Sequence, residues 1–217
     1  MKVGTDGVLL GAWANVLPQG EILDVGTGTG LVAIMLAQRS SVGIDAVEID
    51  ENAYLQAIEN VSHSPWNGRV RVYHSSFQEF CKQTQKKYGI IVSNPPYFSN
   101  SLKTPELART IARHNDSLKP ENLLAGVAEL LANDGCFCVI LPYVESQLFV
   151  IDAAMHQLYC VRKTLVKPTK QKNPARVLLE FSRTRTKVED NELIIHGADG
   201  GYSFEYKALT GDFYQKL

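Results

Sequence analysis

The chain has 217 residues, 45% of them hydrophobic, and a formal net charge of -1, which suits one sizeable core and excludes both two ordinary domains and a uniformly polybasic protein. No apolar run reaches the roughly 20 residues of a membrane span, and the N-terminus lacks a signal-peptide pattern. Four cysteines (Cys81, Cys136, Cys138 and Cys160) show no C-x-x-C spacing and read as reduced core thiols of a cytoplasmic protein.

A single domain over residues 1–217 is expected. Residues 1–16 form its cap and first helix, and residues 158–217 its C-terminal hairpin and closing helix. Lys2 to Gly7 reads as a loop capped by Thr5 or Asp6 that enters a short helix. The chain opens abruptly there, so a segment preceding Met1 is expected. Glu21 to Val25 is an apolar strand, followed by Gly26-Thr27-Gly28-Thr29-Gly30 and a helix from Leu31 to Gln38. Such a loop lets the backbone approach a ligand and offers the free N–H groups of the helix start to an anion. The alternating glycine frame favours S-adenosylmethionine over a dinucleotide, although Gly28 to Ala33 also matches G-x-G-x-x-[G/A].

The second strand, about Val42 to Val47, ends in Glu48-Ile49-Asp50, where a carboxylate is placed to accept ribose hydroxyls. Glu48 is the first choice; Asp50 reads equally as the cap of the helix Glu51 to Val61. After a third strand, Arg69 to Tyr73, Ser76 and Phe77 are candidates for an adenine's amine and face, or else a turn serine and an apolar plug.

The fourth strand, Tyr88 to Val92, ends in Ser93-Asn94-Pro95-Pro96-Tyr97-Phe98. Two prolines cannot continue a ladder, so the chain must turn. Asn94 and the Pro95 carbonyl offer two acceptors to an exocyclic amine, and Tyr97 and Phe98 offer flat faces to its ring. The same residues also read as a turn whose aromatics plug the sheet edge. A polar loop from Ser99 to Pro105 leads to a helical stretch, Glu106 to Asp116; together they carry Lys103, Arg109, Arg113 and His114, the last read first as a helix-end cap and only second as a catalytic residue. Helices at Leu123 to Leu131 and Tyr143 to His156 flank a fifth strand, Cys136 to Leu141. Leu158 to Val166 and Val177 to Arg183 form a hairpin, Glu192 to His196 a further strand, and Phe204 to Tyr214 a closing helix. From Cys160 to Lys187 nine basic residues face one acid, Glu180, an excess suited either to an anionic partner or to a protected sheet edge.

Alternating strands and helices imply a parallel, doubly wound sheet whose ligands bind at the carboxyl ends of the strands. In the order 3-2-1-4-5, the first and fourth strands are neighbours about 4.8 Å apart. The glycine loop and the Asn94 turn then face one pocket.

With Asp24 to Gly30, Glu48 and Asn94-Pro95-Pro96-Tyr97 in place, the sequence resembles class I S-adenosylmethionine-dependent N-methyltransferases, whose amine clamp serves DNA adenine, RNA and protein glutamine alike. Lys2 to Trp13, Pro174 to Leu179 and Tyr202 to Tyr214 look like the bacterial family that methylates N6 of adenine 37 in a valine tRNA. The resemblance implies a doubly wound, Rossmann-like α/β methyltransferase fold, with a mostly parallel seven-stranded sheet in the order 3-2-1-4-5-7-6 and a terminal antiparallel hairpin. It implies catalysis at Asn94, Pro95, Pro96 and Tyr97. It places S-adenosyl-L-methionine on Thr5, Asp24, Gly26, Gly28, Gly30, Glu48, Ser76, Phe77 and Asn94, and tRNA on Tyr97, Phe98, Lys103, Arg109, Arg113, Lys170, Lys172 and Arg176. A cytoplasmic monomer is expected, with neither metal nor membrane. The family carries a segment before Lys2 that this chain lacks, and usually an aspartate where Ser76 stands, a change costing about 1 kcal/mol of donor affinity. A protein-glutamine N5-methyltransferase, a nicotinamide-dependent oxidoreductase and a non-catalytic RNA-binding module are the competing readings.

Overall fold

The computed structural model describes residues 4–16, 20–96 and 118–214. Its strands are β1 (Ile22–Val25), β2 (Ile44–Glu48), β3 (Val70–His74), β4 (Tyr88–Ser93), β5 (Leu131–Pro142), β6 (Tyr159–Thr169), β7 (Arg176–Ser182) and β8 (Glu189–His196). The helices are α1 (Thr5–Trp13), α2 (Leu31–Arg39), α3 (Glu51–Ser62), α4 (Phe77–Gln83), α5 (Pro120–Leu130), α6 (Tyr143–Met155) and α7 (Phe204–Thr210). All strands join one sheet in the order β3-β2-β1-β4-β5-β7-β6-β8. From β3 to β5 the pairings are parallel, and β7 is antiparallel to both β5 and β6.

Every residue of β1, β2 and β4 is buried, because helices cover both faces of a parallel sheet. The side-chain period of two divides these strands between two cores. Ile22, Ile90, Val92, Cys138 and Ile140 pack with α1 and α2, and Leu23, Val25, Ile91, Phe137 and Val139 pack with α4, α5 and α6. Each fully buried leucine or isoleucine contributes about 1.5–3 kcal/mol. Helix α1 lies close against α2: a Cβ on Gly11 would stand 2.8 Å from Met35 Sδ. Arg39 closes the end of α1 by donating to the Gly11 and Ala14 carbonyls at 2.7 and 2.8 Å.

The sheet has eight strands rather than the seven expected, because β8 adds in parallel beyond β6. The parallel ladder and the buried Leu193 hold it there, and two ion pairs add to them. Lys163 reaches Asp190 at 2.8 Å and Lys167 reaches Glu192 at 2.7 Å, and the exposed acids along β8 suit an edge strand. The sequence reading also lacked α4, whose signal is the capping box Ser76-x-x-Glu79. The closing helix is shorter than expected and ends in a single 3-10 turn, Gly211–Phe213. The expected helix from Glu106 to Asp116 lies outside the described residues. Among the described residues no helix is long and apolar enough to cross a membrane. The thiols of Cys81, Cys136 and Cys138 are buried and that of Cys160 is half-buried, all unbridged; burial pushes Cys81 up to about 12.

Candidate active site

The loop from Gly26 to Gly30 joins β1 to α2 at the carboxyl edge of the sheet. The Gly26 and Thr27 N–H groups both donate to the Val47 carbonyl, at 2.9 and 3.0 Å, so the chain leaves β1 leaning on β2. Gly26, Gly28 and Gly30 have φ of 71, 59 and 81°, a region that costs any residue with a Cβ. Among the described residues, a Cβ on Gly26 or Gly28 would meet nothing within 4 Å, whereas one on Gly30 would stand 3.4 Å from Ala57. The first two glycines therefore border open space, and the third lets α3 approach.

Two carboxylates shape this loop. Asp24 is 1% exposed; its Oδ2 accepts from the Thr27 hydroxyl at 2.6 Å and the Ala33 N–H at 3.1 Å. It thus satisfies one of the orphan donors at the start of α2. Burial raises its pKa from 3.8 to about 7; the Thr27 and Ala33 hydrogen bonds oppose this, and nearby Glu48 adds to it. Glu48, 8% exposed, clasps the loop from the end of β2. Its Oε2 accepts from Gly28 N–H at 2.7 Å, and Oε1 accepts from the Ile49 and Asp50 N–H groups, both at 2.9 Å. Asp50 caps α3 by accepting from Ala53 N–H at 2.8 Å.

The β4 exit lies beside this loop, since Val25 and Ser93 are partners in the β1–β4 register. Ser93 is fully buried and its hydroxyl donates to the Val25 carbonyl at 2.9 Å. Asn94 follows, half-buried, and among the described residues its side chain has no hydrogen-bond partner. Pro95 is buried and Pro96 exposed. Tyr97, Phe98, Lys103, Arg109 and Arg113 lie outside the described residues.

The remaining expected residues divide. Ser76 caps α4: its hydroxyl accepts from Glu79 N–H at 3.2 Å and donates to Glu79 Oε2 at 3.0 Å. Phe77 is 4% exposed and its ring fills the place of a side chain at Gly126, so most of its surface serves the core. Thr5 is exposed at the first turn of α1. Arg176 donates to Asp6 Oδ2 at 2.8 Å and ties the start of β7 to α1. Lys170 and Lys172 are exposed at the tip of the β6–β7 hairpin. That tip is also at the carboxyl edge, because Arg176 pairs with Pro142, the end of β5.

Much of the basic run is engaged in holding the fold. Arg162 donates to Glu180 Oε2 at 2.6 Å and lies 3.6 Å over the Trp13 ring. Arg183 donates to the Leu131 carbonyl at 3.2 Å, and Arg185 lies over Tyr159 at 4.3 Å. Among the described residues no group of three or more His, Cys, Asp or Glu could hold a metal ion.

Among the described residues, the open glycines, the Glu48 carboxylate and the unpartnered Asn94 carboxamide thus lie at neighbouring strand ends on one edge of the sheet. Residues 4–139 match the family model of the methyltransferase small domain. The tRNA1(Val) (adenine(37)-N6)-methyltransferase of Bacteroides fragilis strain YCH46 is 47% identical over 218 residues, covering 100% of this chain and 92% of that protein. The protein of the same name from Trichodesmium erythraeum is 47% identical over 219 residues, with the same coverage. Among solved structures, a predicted O-methyltransferase, Atu636 of Agrobacterium tumefaciens, superposes with a TM-score of 0.74 at 15% identity, covering 95% of this chain and 96% of that one. The glycopeptide N-methyltransferase MtfA, complexed with sinefungin, gives 0.56 at 14% identity, covering 77% and 81%. At such identities the structures speak for the fold alone, whereas the two curated relatives span the whole chain, and the chain belongs to the tRNA1(Val) (adenine(37)-N6)-methyltransferase family.

Proposed function

We propose that the chain methylates the exocyclic N6 of adenine 37 in tRNA(Val), with S-adenosyl-L-methionine as the donor. The observation that carries this reading is the carboxamide of Asn94, which has no hydrogen-bond partner among the described residues and is held at the β4 exit one strand from the glycine loop. The residues fit the donor. Gly26 and Gly28 leave open space above the loop, and Glu48 stands at the rim with lone pairs beyond its three N–H partners, able to accept ribose hydroxyls. Asp24 acts from below by fixing the loop, and Thr5 borders the same edge. When bound, the donor supplies an electrophilic methyl group on a sulfonium sulfur.

The chain's own part is positioning. The Asn94 side-chain oxygen and the Pro95 carbonyl accept the two amine hydrogens of an adenine turned out of its stack. This aims the nitrogen lone pair at the glycine loop. Tyr97, outside the described residues, is the stacking partner that the sequence offers for the ring. As the amine nitrogen took up the methyl carbon, the carbon–sulfur bond would break with its electron pair left on sulfur, and the amine, cationic for that moment, would give one proton to solvent. Alignment of reacting atoms supplies most of the rate, and a strong general base is not required.

Methyl transfer tests the reading. Tritiated donor incubated with total tRNA from cells lacking the activity should label tRNA, and nucleoside analysis should recover N6-methyladenosine. Label on protein glutamine with none on tRNA would overturn it.

A further inference from the structure

We propose that the groove between the ends of β6 and β8 holds a second, unpaired segment of the tRNA, with its phosphates on Lys170 and Lys172 and a base against His196. This rests on the reading of tRNA as the substrate. The groove, about 520 Å³ and open to solvent, is lined by Thr169, Gln171, His196, Gly197, Ala198 and Gly200. Thr169 and His196 are partners in the β6–β8 register, so the groove opens at the same carboxyl edge as Asn94. Four strand spacings separate β4 from β8, roughly 19 Å. That is too far for the target adenine and suits nucleotides elsewhere in the same folded RNA.

One wall is a pile of rings. His196 stacks on Tyr202 at 5.2 Å and Tyr202 on Tyr206 at 4.8 Å, each with 18° between planes. Tyr206 is buried at 1% exposure and its hydroxyl shares a 3.1 Å hydrogen bond with that of Tyr214, so the pile is anchored at its inner end. Its outer member lines the groove. His196 Nδ1 is buried and has no hydrogen-bond partner among the described residues, where stacking rather than polar contact holds the imidazole. A nucleobase is the planar group that extends such a pile.

The floor is a tight turn without large side chains. Gly197 N–H donates to the Gly201 carbonyl at 2.9 Å, and Asp199 Oδ1 accepts from Gly201 N–H at 3.1 Å. Gly200 has a φ of 80°, which keeps the position open. Beside the Asp199 carboxylate of the floor, the lysines at the groove's edge supply the charge for a phosphate. Along β6 the cations are matched: Arg162 by Glu180, Lys163 by Asp190 and Lys167 by Glu192. Lys170 and Lys172, beside the groove, have no acidic partner among the described residues. Two unmatched cations next to a ring pile are the pattern of a nucleic-acid strand, with backbone on charge and base on aromatic.

The test uses the full chain and full-length tRNA. His196→Ala should raise KM for tRNA about tenfold, the scale of one lost base stack, and leave kcat at saturating tRNA and donor affinity within about twofold. Ala198→Glu, at an exposed position, puts a like charge in the groove and should raise KM at least as far without disturbing the melt. Lys170→Glu with Lys172→Glu should lower the slope of binding against salt by about two. Normal melts with wild-type KM in both groove variants would overturn the proposal while leaving the substrate reading intact. A wild-type chain that methylates no tRNA would overturn both. Tight binding of adenosine monophosphate in the groove, with tRNA affinity unaffected by Ala198→Glu, would make it a mononucleotide site and overturn the proposal alone.

Discussion

The Ser93 hydroxyl donates to the Val25 carbonyl at 2.9 Å, joining the last residue of the strand that presents Asn94 to the last residue of the strand that feeds the glycine loop. The two strands already pair in register, but the ladder ends here and both chains turn away. This side-chain bond extends the fixed part of each strand to the edge of the site. Ser93→Ala should cost about 1 kcal/mol of stability and lower kcat about tenfold, since small displacements between reacting groups are expensive. A melt combined with single-turnover transfer checks both. Wild-type kcat in a destabilised variant would show that the bond serves the fold alone.

Asn94→Ala removes the carboxamide at the β4 exit, which has no hydrogen-bond partner among the described residues. Turnover should fall more than a hundredfold, while donor affinity by calorimetry stays within about twofold, because the amide acts on the acceptor amine. A loss of tenfold or less would remove the clamp assignment.

Glu48 has a structural duty that precedes any ligand: three N–H groups converge on its carboxylate. Glu48→Gln keeps one acceptor oxygen and replaces the other with a donor, which faces either the Gly28 N–H or the pair at Ile49 and Asp50. Donor affinity should fall at least tenfold, stability should fall about 1–3 kcal/mol, and the Gly28 amide should exchange hydrogen faster. Unchanged exchange at Gly28 would mean that the loop does not depend on this clasp.

The residues that sequence alone identified at this edge share a local cause. Glycines alternating after a strand, a carboxylate ending the next strand, and prolines that stop a third all act within a few residues, and parallel topology brings them together. What sequence did not show depends on long separations or on rotamers. The basic excess from Cys160 to Lys187 looked free because its acids, Asp190 and Glu192, are brought alongside only by the parallel β6–β8 pairing. Asp24 sits in the donor motif, yet its side chain turns inward to Ala33 and Thr27, which periodicity does not show. Ser76 follows the opposite pattern: its spacing to Glu79 is the local signal of a capping box that marks α4, but the sequence reading took it for an adenine contact or a turn serine.

Asp24 should leave a pH signature. Its folded-state pKa of about 7 stands above the ordinary 3.8, so the folded chain holds the proton more tightly than the unfolded chain. The resulting stabilisation is fully present below pH 4 and is lost as pH rises towards 7. Asp24→Asn keeps an acceptor for Ala33 and Thr27 and cannot titrate. The variant should therefore gain in melting temperature relative to wild type as pH increases from 4 to 7, and the gain should level off above 7. A constant difference across that range would place the Asp24 pKa near that of a solvated carboxylate.

The basic segment contains cations of two kinds, and one substitution separates them. Glu180 accepts from Arg162 Nε and Nη2 at 3.0 and 2.6 Å and from Asn15 Nδ2 at 3.3 Å, and Arg162 also donates to the Trp13 carbonyl at 3.2 Å. The pair is mostly buried, with side chains 16% and 11% exposed. Glu180→Ala leaves the guanidinium charge without its counterion between β7 and the Trp13 ring. Breaking a buried pair from one side costs about 3–5 kcal/mol, and urea denaturation should show a loss of that size. Lys170→Ala and Lys172→Ala, on the exposed hairpin tip, should stay within about 0.5 kcal/mol of wild type. The contrast reverses for RNA: the tip substitutions should weaken tRNA binding in a salt-dependent way, and folded Glu180→Ala at low temperature should bind tRNA as wild type does. Equal stability losses from both sets would mean that the tip lysines, too, are part of the fold.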